Sequence, residues 1–111
     1  MAGRPLTAAE LAAALPADAP PGHAAHEAVR YNDKFRTPFA WFAVERQGVK
    51  ITFQTTHLSA GSRFAAERIA RACYVRFVDQ RRSEDEVKRF REECYERLRP
   101  PPAAPPAAPP A

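Results

Sequence analysis

Five polar side chains in neighbouring stretches of the chain have the chemistry to contact a nucleic acid. They are Arg30, Arg46, Lys50, Thr52 and Gln54, with Trp41 or Phe42 between them. Arg and Lys donate to phosphates and to guanine edges, while Thr and Gln add further hydrogen bonds. If they share one face of a sheet, they predict a surface that reads DNA. A solvated polar face is the alternative.

Two alternating runs must position these side chains. FAWFAVER (39–46) and VKITFQTT (49–56) are joined at Gln47-Gly48, which predicts a β-hairpin. In the second run the apolar residues alternate with Lys50, Thr52 and Gln54, as in a half-buried strand. The first run allows two registers, with Trp41 and Ala43 or with Phe42 and Val44 facing inward, and a slip by one residue exchanges the faces.

The remaining elements complete an α+β fold. HEAVRY (26–31) predicts a first strand, and SRFAAERIARACYVRF (62–77) predicts a helix whose apolar stripe covers one side of the sheet. A second helix is predicted to start at Ser83, with Glu86 at capping-box spacing, and to stop at Pro100. The expected fold is a three-stranded antiparallel sheet packed on an α-helix, with a second C-terminal helix. One sheet face is left exposed, and function is expected there.

The composition predicts one small domain with two flanking segments. Residues 1–25 are expected to be a flexible N-terminal arm with a short helix candidate at Thr7–Leu15. Residues 26–99 form the small DNA-binding-like domain. Residues 100–111, PPPAAPPAAPPA, predict a disordered, extended tail. Docking of this tail on an aromatic-lined groove is the weaker alternative.

The charge distribution favours a phosphate-bearing partner. The net charge is +4, but residues 27–82 hold eleven Lys and Arg against five Asp and Glu, whereas residues 83–99 hold five against six. A basic patch attracts phosphates by steering and counterion release. Lys34 and Arg36, in a loop between turn signals, and Arg63, near the helix start, are the predicted phosphate contacts. A merely soluble basic protein remains the alternative.

A family resemblance points in the same direction. Val29-Arg30, Trp41-Phe42-Ala43 with Glu45-Arg46, the Gly48 turn, Lys50, and Ile69 to Tyr74 resemble the Apetala-two/ethylene-response-factor (ERF) DNA-binding domain over residues 27–78. The family's third-strand Trp is replaced by Thr52. The resemblance implies a three-stranded sheet in the DNA major groove, a helix packed behind it, and transcription regulation in a nucleus. It implies that Arg30, Arg46 and Lys50 face double-stranded DNA.

Two other function classes stay open. VKITFQTTHLSAG resembles a segment of pterin-carbinolamine dehydratases, but the His-His-Pro cluster that those enzymes need is absent, and His57 has no such partner. We therefore predict no catalysis and no cofactor. A non-catalytic protein-interaction module, binding through the second helix or the Pro/Ala tail, is the main alternative. Salt separates the two binding hypotheses, because phosphate contacts weaken with salt and apolar contacts change little.

The remaining reactive residues predict no metal site. His23, His26 and His57 and the two cysteines lack the spacing of metal ligands, and Cys73 and Cys94 are expected to be buried thiols. No apolar run approaches the ~20 residues of a membrane span. The expected location is the nucleus if the resemblance holds, and otherwise the cytoplasm. DNA or RNA as the ligand, the target sequence and the oligomeric state stay open.

Overall fold

A three-stranded antiparallel sheet carries the helices of this protein on one side. The structure is a computed structural model that describes residues 7–34 and 36–99. The strands, in the order β1-β2-β3, are β1 (Arg30–Asn32), β2 (Phe39–Arg46) and β3 (Val49–Thr56). The helices are α1 (Ala8–Ala14), α2 (Ala25–Ala28), α3 (His57–Ala60), α4 (Arg63–Tyr74) and α5 (Glu84–Leu98), with a π-helical turn at Val75–Asp79. The predicted α+β class is confirmed.

The hairpin of β2 and β3 has the predicted bounds. Gln47 and Gly48 both have positive φ, 53° and 78°, as a two-residue type I′ turn requires. This turn sets a register that pairs Arg46 with Val49 and Phe42 with Phe53. It thereby fixes which side chains of β2 face the helices.

The aromatic core selects one of the two registers left open by the sequence. Phe42 and Phe53 are buried and stack at 5.2 Å between ring centroids, and Phe53 meets Phe77 at 5.0 Å. Ile69 and Cys73 of α4 belong to the same buried cluster. Phe42 and Val44 therefore face the core, and Trp41 and Ala43 lie on the other side of the sheet.

The two long helices begin where the sequence predicts. Ser62 caps α4 by accepting the Ala65 N–H at 3.1 Å, and Ser83 caps α5 by accepting the Glu86 N–H at 3.1 Å. The α-helical pattern expected to Phe77 instead ends at Tyr74, and the chain continues as the π-helical turn. Pro100, the predicted stop signal for α5, lies outside the described residues.

Helix α5 lies along the free edge of β3 and against α4. Arg91 donates from Nη1 to the backbone oxygen of Gln54 at 2.8 Å. Tyr95, buried one helical turn later, lies next to Thr55 and Thr56. Arg91 precedes Tyr95 in α5, and Gln54 precedes Thr55 and Thr56 in β3. Helix α5 therefore runs in the same direction as β3. The helix thus contacts both α4 and the β3 edge of the sheet.

The prediction of a strand over 26–31 is wrong in its first half. Residues Ala25–Ala28 form the short helix α2, and the N–H of Val29 donates to the Ala25 oxygen at 3.0 Å. Ala25 is fully buried, so this turn is held against the helix layer. The strand is Arg30–Asn32, and β3 is followed directly by the short helix α3.

The expected boundary between an arm and a domain near residue 25 is also corrected. Helix α1 lies within the predicted helix candidate and has a capping box between Thr7 and Glu10. After it, Leu15 is buried in the common core, and Asp18 forms a two-bond ion pair with Arg71 of α4 at 2.7 and 3.2 Å. Residues 7–25 therefore pack as part of the domain. Residues 1–6 and the Pro/Ala tail at 100–111 lie outside the described residues.

Candidate nucleic-acid interface

The side of the sheet opposite α4 is called the open face here. Strand alternation and the two registers place ten residues on it: Arg30, Asn32, Phe39, Trp41, Ala43, Glu45, Lys50, Thr52, Gln54 and Thr56. Within the described part of the chain, helices pack on the other side and along the β3 edge. The open face is therefore the surface that the sequence predicted.

One row of side chains crosses all three strands of the open face. Arg30 of β1 is opposite Trp41 of β2, and Trp41 is opposite Gln54 of β3. Arg30 and Gln54 are exposed, and Trp41 is half-buried between them. Adjacent strands are about 4.8 Å apart, so these three side chains lie within about 10 Å across the sheet. The row offers a guanidinium, an indole and an amide to a single ligand.

Beyond this row the sheet narrows to two strands. Strand β1 pairs only with Phe39 to Trp41, whereas β2 and β3 continue together to the turn. Thr52 and Lys50 are exposed on this two-stranded part, and Lys50 lies about 13 Å along β3 from Gln54. Lys50 is opposite Glu45, which partly offsets its positive charge.

The loop after β1 adds two cations at the opposite end of the sheet. Lys34 and Arg36 are exposed, and the Lys34 N–H donates to Oδ1 of Asn32 at 3.0 Å. This bond ties the loop to the strand end, next to the row formed by Asn32, Phe39 and Thr56. The predicted sites Arg30, Lys34, Arg36, Lys50 and Gln54 thus lie on or beside the open face.

Arg46, predicted to face DNA, lies on the helix side instead. It alternates with Phe42 and Val44, so its side chain points toward the π-helical turn. Its guanidinium donates to the backbone oxygens of Phe77 and, at 2.9 Å, of Arg82, and lies 3.6 Å from the centroid of the Phe77 ring. These contacts hold the chain between α4 and α5. The prediction is wrong because the register that buries Phe42 also turns Arg46 inward.

Arg63, predicted to contact phosphate, is not on the open face either. It begins α4, pairs with Glu67 at 3.0 Å, and lies 4.4 Å from the centroid of the Tyr31 ring. Tyr31 belongs to the helix side of β1, opposite Ala40. Arg63 therefore stays at the end of the sheet, on its covered side.

Several arginines of residues 27–82 have partners within the fold. Arg68 donates to the Pro16 oxygen at 3.0 Å, Arg71 pairs with Asp18, and Arg76 lies 3.8 Å from the Phe90 ring centroid. By contrast, four cations of the interface have no side-chain partner within residues 7–34 and 36–99: Arg30, Lys34, Arg36 and Lys50. These four cations are exposed at the open face and its loop, while Arg81, Arg89, Arg97 and Arg99 are exposed elsewhere on the described surface.

The sequence analysis did not place three polar members on the face: Asn32, Glu45 and Thr56. Asn32 shares the face with Arg30, and alternation along β1 would have indicated it had the strand been placed correctly. Glu45 was quoted only as part of the family resemblance. Its position opposite Lys50 follows from the hairpin register.

Other reactive side chains have structural partners. The Tyr31 hydroxyl and the ring Nδ1 of His57 are 3.2 Å apart. The backbone N–H of His57 donates to the backbone oxygen of Pro38 at 2.8 Å. Cys73 and Cys94 are buried free thiols, and burial raises the pKa of Cys73 to about 12. Within the described ranges, no cluster of three or more His, Cys, Asp or Glu side chains has a metal-binding arrangement. No helix among those same residues has the length and apolar character to span a membrane.

Comparison of the chain with models of protein families, with curated proteins and with solved structures gave no match. The ERF resemblance therefore stays a prediction.

Proposed function

We propose that this protein binds double-stranded DNA through the open face of its sheet and acts in transcription regulation. The observation that carries the proposal is the three-stranded open face, on which Arg30 and Lys50 are exposed, with Lys34 and Arg36 exposed in the loop beside it. Such a surface binds a polyanion by counterion release, without an enclosed pocket.

The shape of the sheet supports a duplex as the ligand. A two-stranded ribbon fits the major groove, which is about 12 Å wide. The part of the hairpin beyond β1 is such a ribbon, with Lys50 and Thr52 on its open side. We assign base contacts to Lys50, Gln54 and Arg30, because these side chains project from the face itself.

The loop cations have a different role in this proposal. Lys34 and Arg36 follow the end of β1, at the margin of the sheet, where a groove-bound ribbon brings the DNA backbone. We assign them to phosphates. Arg46 and Arg63, which the structure places on the covered side, contribute no direct contact.

The experiment is a salt titration of binding to a random pool of double-stranded DNA, followed by sequencing of the retained fraction. The two phosphate contacts assigned to Lys34 and Arg36 predict a slope of about −1.8 in log affinity against log salt, or about 12-fold weaker binding at 200 mM than at 50 mM salt. An enriched short motif would support sequence-specific reading. Salt-independent binding would favour the protein-interaction alternative.

A matched pair of variants locates the contact. Lys50→Ala removes a cation from the open face, and Lys88→Ala removes one from α5, where Lys88 pairs with Glu84 at 2.6 Å. We expect Lys50→Ala to weaken binding to the enriched motif by about 1–3 kcal/mol and Lys88→Ala to leave that affinity nearly unchanged. Equal effects of the two substitutions would contradict an interface on the open face.

A further inference from the structure

Two large apolar side chains are exposed at one corner of the protein. Leu58 of α3 is 77% exposed, and Phe64 in the first turn of α4 is 55% exposed. The two helices are joined by Gly61, whose φ of 91° turns the chain sharply, and they contact each other. We call residues 57–64 the α3–α4 corner. Single exposed apolar residues are ordinary, but two on helices that contact each other can be covered by one ligand.

The end of α5 lies beside this corner. Helix α5 runs in the same direction as β3, with Arg91 at Gln54 and Tyr95 at Thr55 and Thr56. Because α3 begins at His57, immediately after β3, the last turn of α5 reaches α3, and these two helices are in contact. The chain therefore leaves the described part at Arg99, at the end of α5 that lies beside α3.

The residues that follow Arg99 have suitable chemistry for this patch. They are twelve prolines and alanines without a charge, PPPAAPPAAPPA. Such a sequence favours the polyproline conformation, which spans about 37 Å over twelve residues and loses little conformational entropy when it binds. Proline rings and alanine methyl groups pack on aliphatic and aromatic side chains, as in other polyproline-binding grooves.

We infer that the Pro/Ala tail, residues 100–111, folds back and lies on Leu58 and Phe64 of the same chain. The attachment of the tail beside the patch makes binding intramolecular, so a weak contact suffices. The corner is not part of the open face, so this inference does not depend on DNA binding. It assigns the tail to an intramolecular contact, where the sequence alone favoured a disordered spacer.

The test is an NMR comparison of the full chain with a form that stops after Arg99. We expect the truncation to shift the backbone amide signals of residues 57–64, and a synthetic PPPAAPPAAPPA peptide added in excess to reverse those shifts. In the full chain, Leu58→Ser with Phe64→Ser should move the five alanine amide signals of the tail to their positions in the isolated peptide. Both replaced side chains are exposed, so the fold should be retained.

Controls separate this contact from other occupants of the corner. Val49→Ser removes another exposed apolar side chain, 60% exposed at the hairpin end, and should leave the tail signals unchanged. Unchanged corner signals after truncation would overturn the inference. Concentration-dependent shifts would indicate a second copy, and shifts caused by removal of residues 1–6 would indicate the N-terminus. Either result would also overturn it.

Discussion

Arg46 and Lys50 offer the sharpest separation between a structural cation and a ligand-binding one. They flank the same two-residue turn and each carries one positive charge, but alternation places them on opposite faces of the hairpin. Arg46 contacts the backbone oxygens of Phe77 and Arg82, and the ring of Phe77. Lys50 is exposed on the open face. We therefore predict that Arg46→Ala reduces stability and that Lys50→Ala reduces DNA affinity.

The magnitude follows from the hydrogen bonds and the ring contact of the Arg46 guanidinium, which the alanine substitution removes. The part-buried bond to Phe77 contributes about 1–1.5 kcal/mol and the exposed bond to Arg82 about 0.5 kcal/mol. The cation–π contact adds about 0.5–1 kcal/mol. Arg46→Ala should thus lower the free energy of unfolding by about 2–3 kcal/mol, or Tm by about 10–15 °C for a domain of this size. Lys50→Ala should change that free energy by less than about 0.5 kcal/mol.

The assays are thermal unfolding followed by circular dichroism, and DNA binding at a temperature where both variants are folded. Arg46→Lys is the control that keeps the charge but loses the planar geometry, and it should be intermediate in stability. An unchanged Tm for Arg46→Ala, together with a loss of affinity equal to that of Lys50→Ala, would refute the placement of Arg46 on the covered side.

Three further predictions concern the rest of the fold. Burial opposes ionisation of Asp18, but the bonds from Arg71 and from the Ala19 N–H outweigh this effect and lower the pKa of Asp18 below the ordinary 3.8. The ion pair should therefore stabilise the fold above pH 3.8, and this stabilisation should be lost as the pH falls through the lowered pKa. Asp18→Asn should therefore lower Tm at pH 6, and this difference should shrink as the pH is lowered into the acid range; a pH-independent difference would contradict this. Burial raises the pKa of Cys73 to about 12, so a thiol reagent at pH 8 should modify Cys73 only after denaturant is added. Rapid labelling of Cys73 in the folded protein would contradict this prediction. Gln47→Asn should raise the free energy of unfolding by roughly 0.5 kcal/mol, because Asn tolerates a positive φ better than Gln does. Urea titration measures this change, and a decrease in the free energy of unfolding would contradict the prediction.

The elements with strong local signals were predictable from the sequence. The hairpin bounds follow from alternation around Gln47-Gly48, and the starts of α4 and α5 follow from Ser62 and Ser83, whose side chains cap the first turn. These features depend on neighbours within a few residues. The fold class followed from them.

The site was only partly predictable, because its residues depend on contacts between distant segments. Placing Arg46 required the choice of Phe42 rather than Trp41 as the inward residue, and that choice is made by stacking on Phe53 and contact with α4. The packing of residues 7–25 depends on Arg68 and Arg71, more than fifty positions away. Local composition carries no information about such partners.

The most direct test of the open face uses the single tryptophan of the chain. Trp41 lies on that face between Arg30 and Gln54, so its fluorescence reports on any ligand bound there. We predict that duplex DNA changes the intensity or emission wavelength of Trp41 with the same midpoint and salt dependence as binding itself. DNA binding that leaves Trp41 fluorescence unchanged would place the interface elsewhere and contradict the proposed function of the open face.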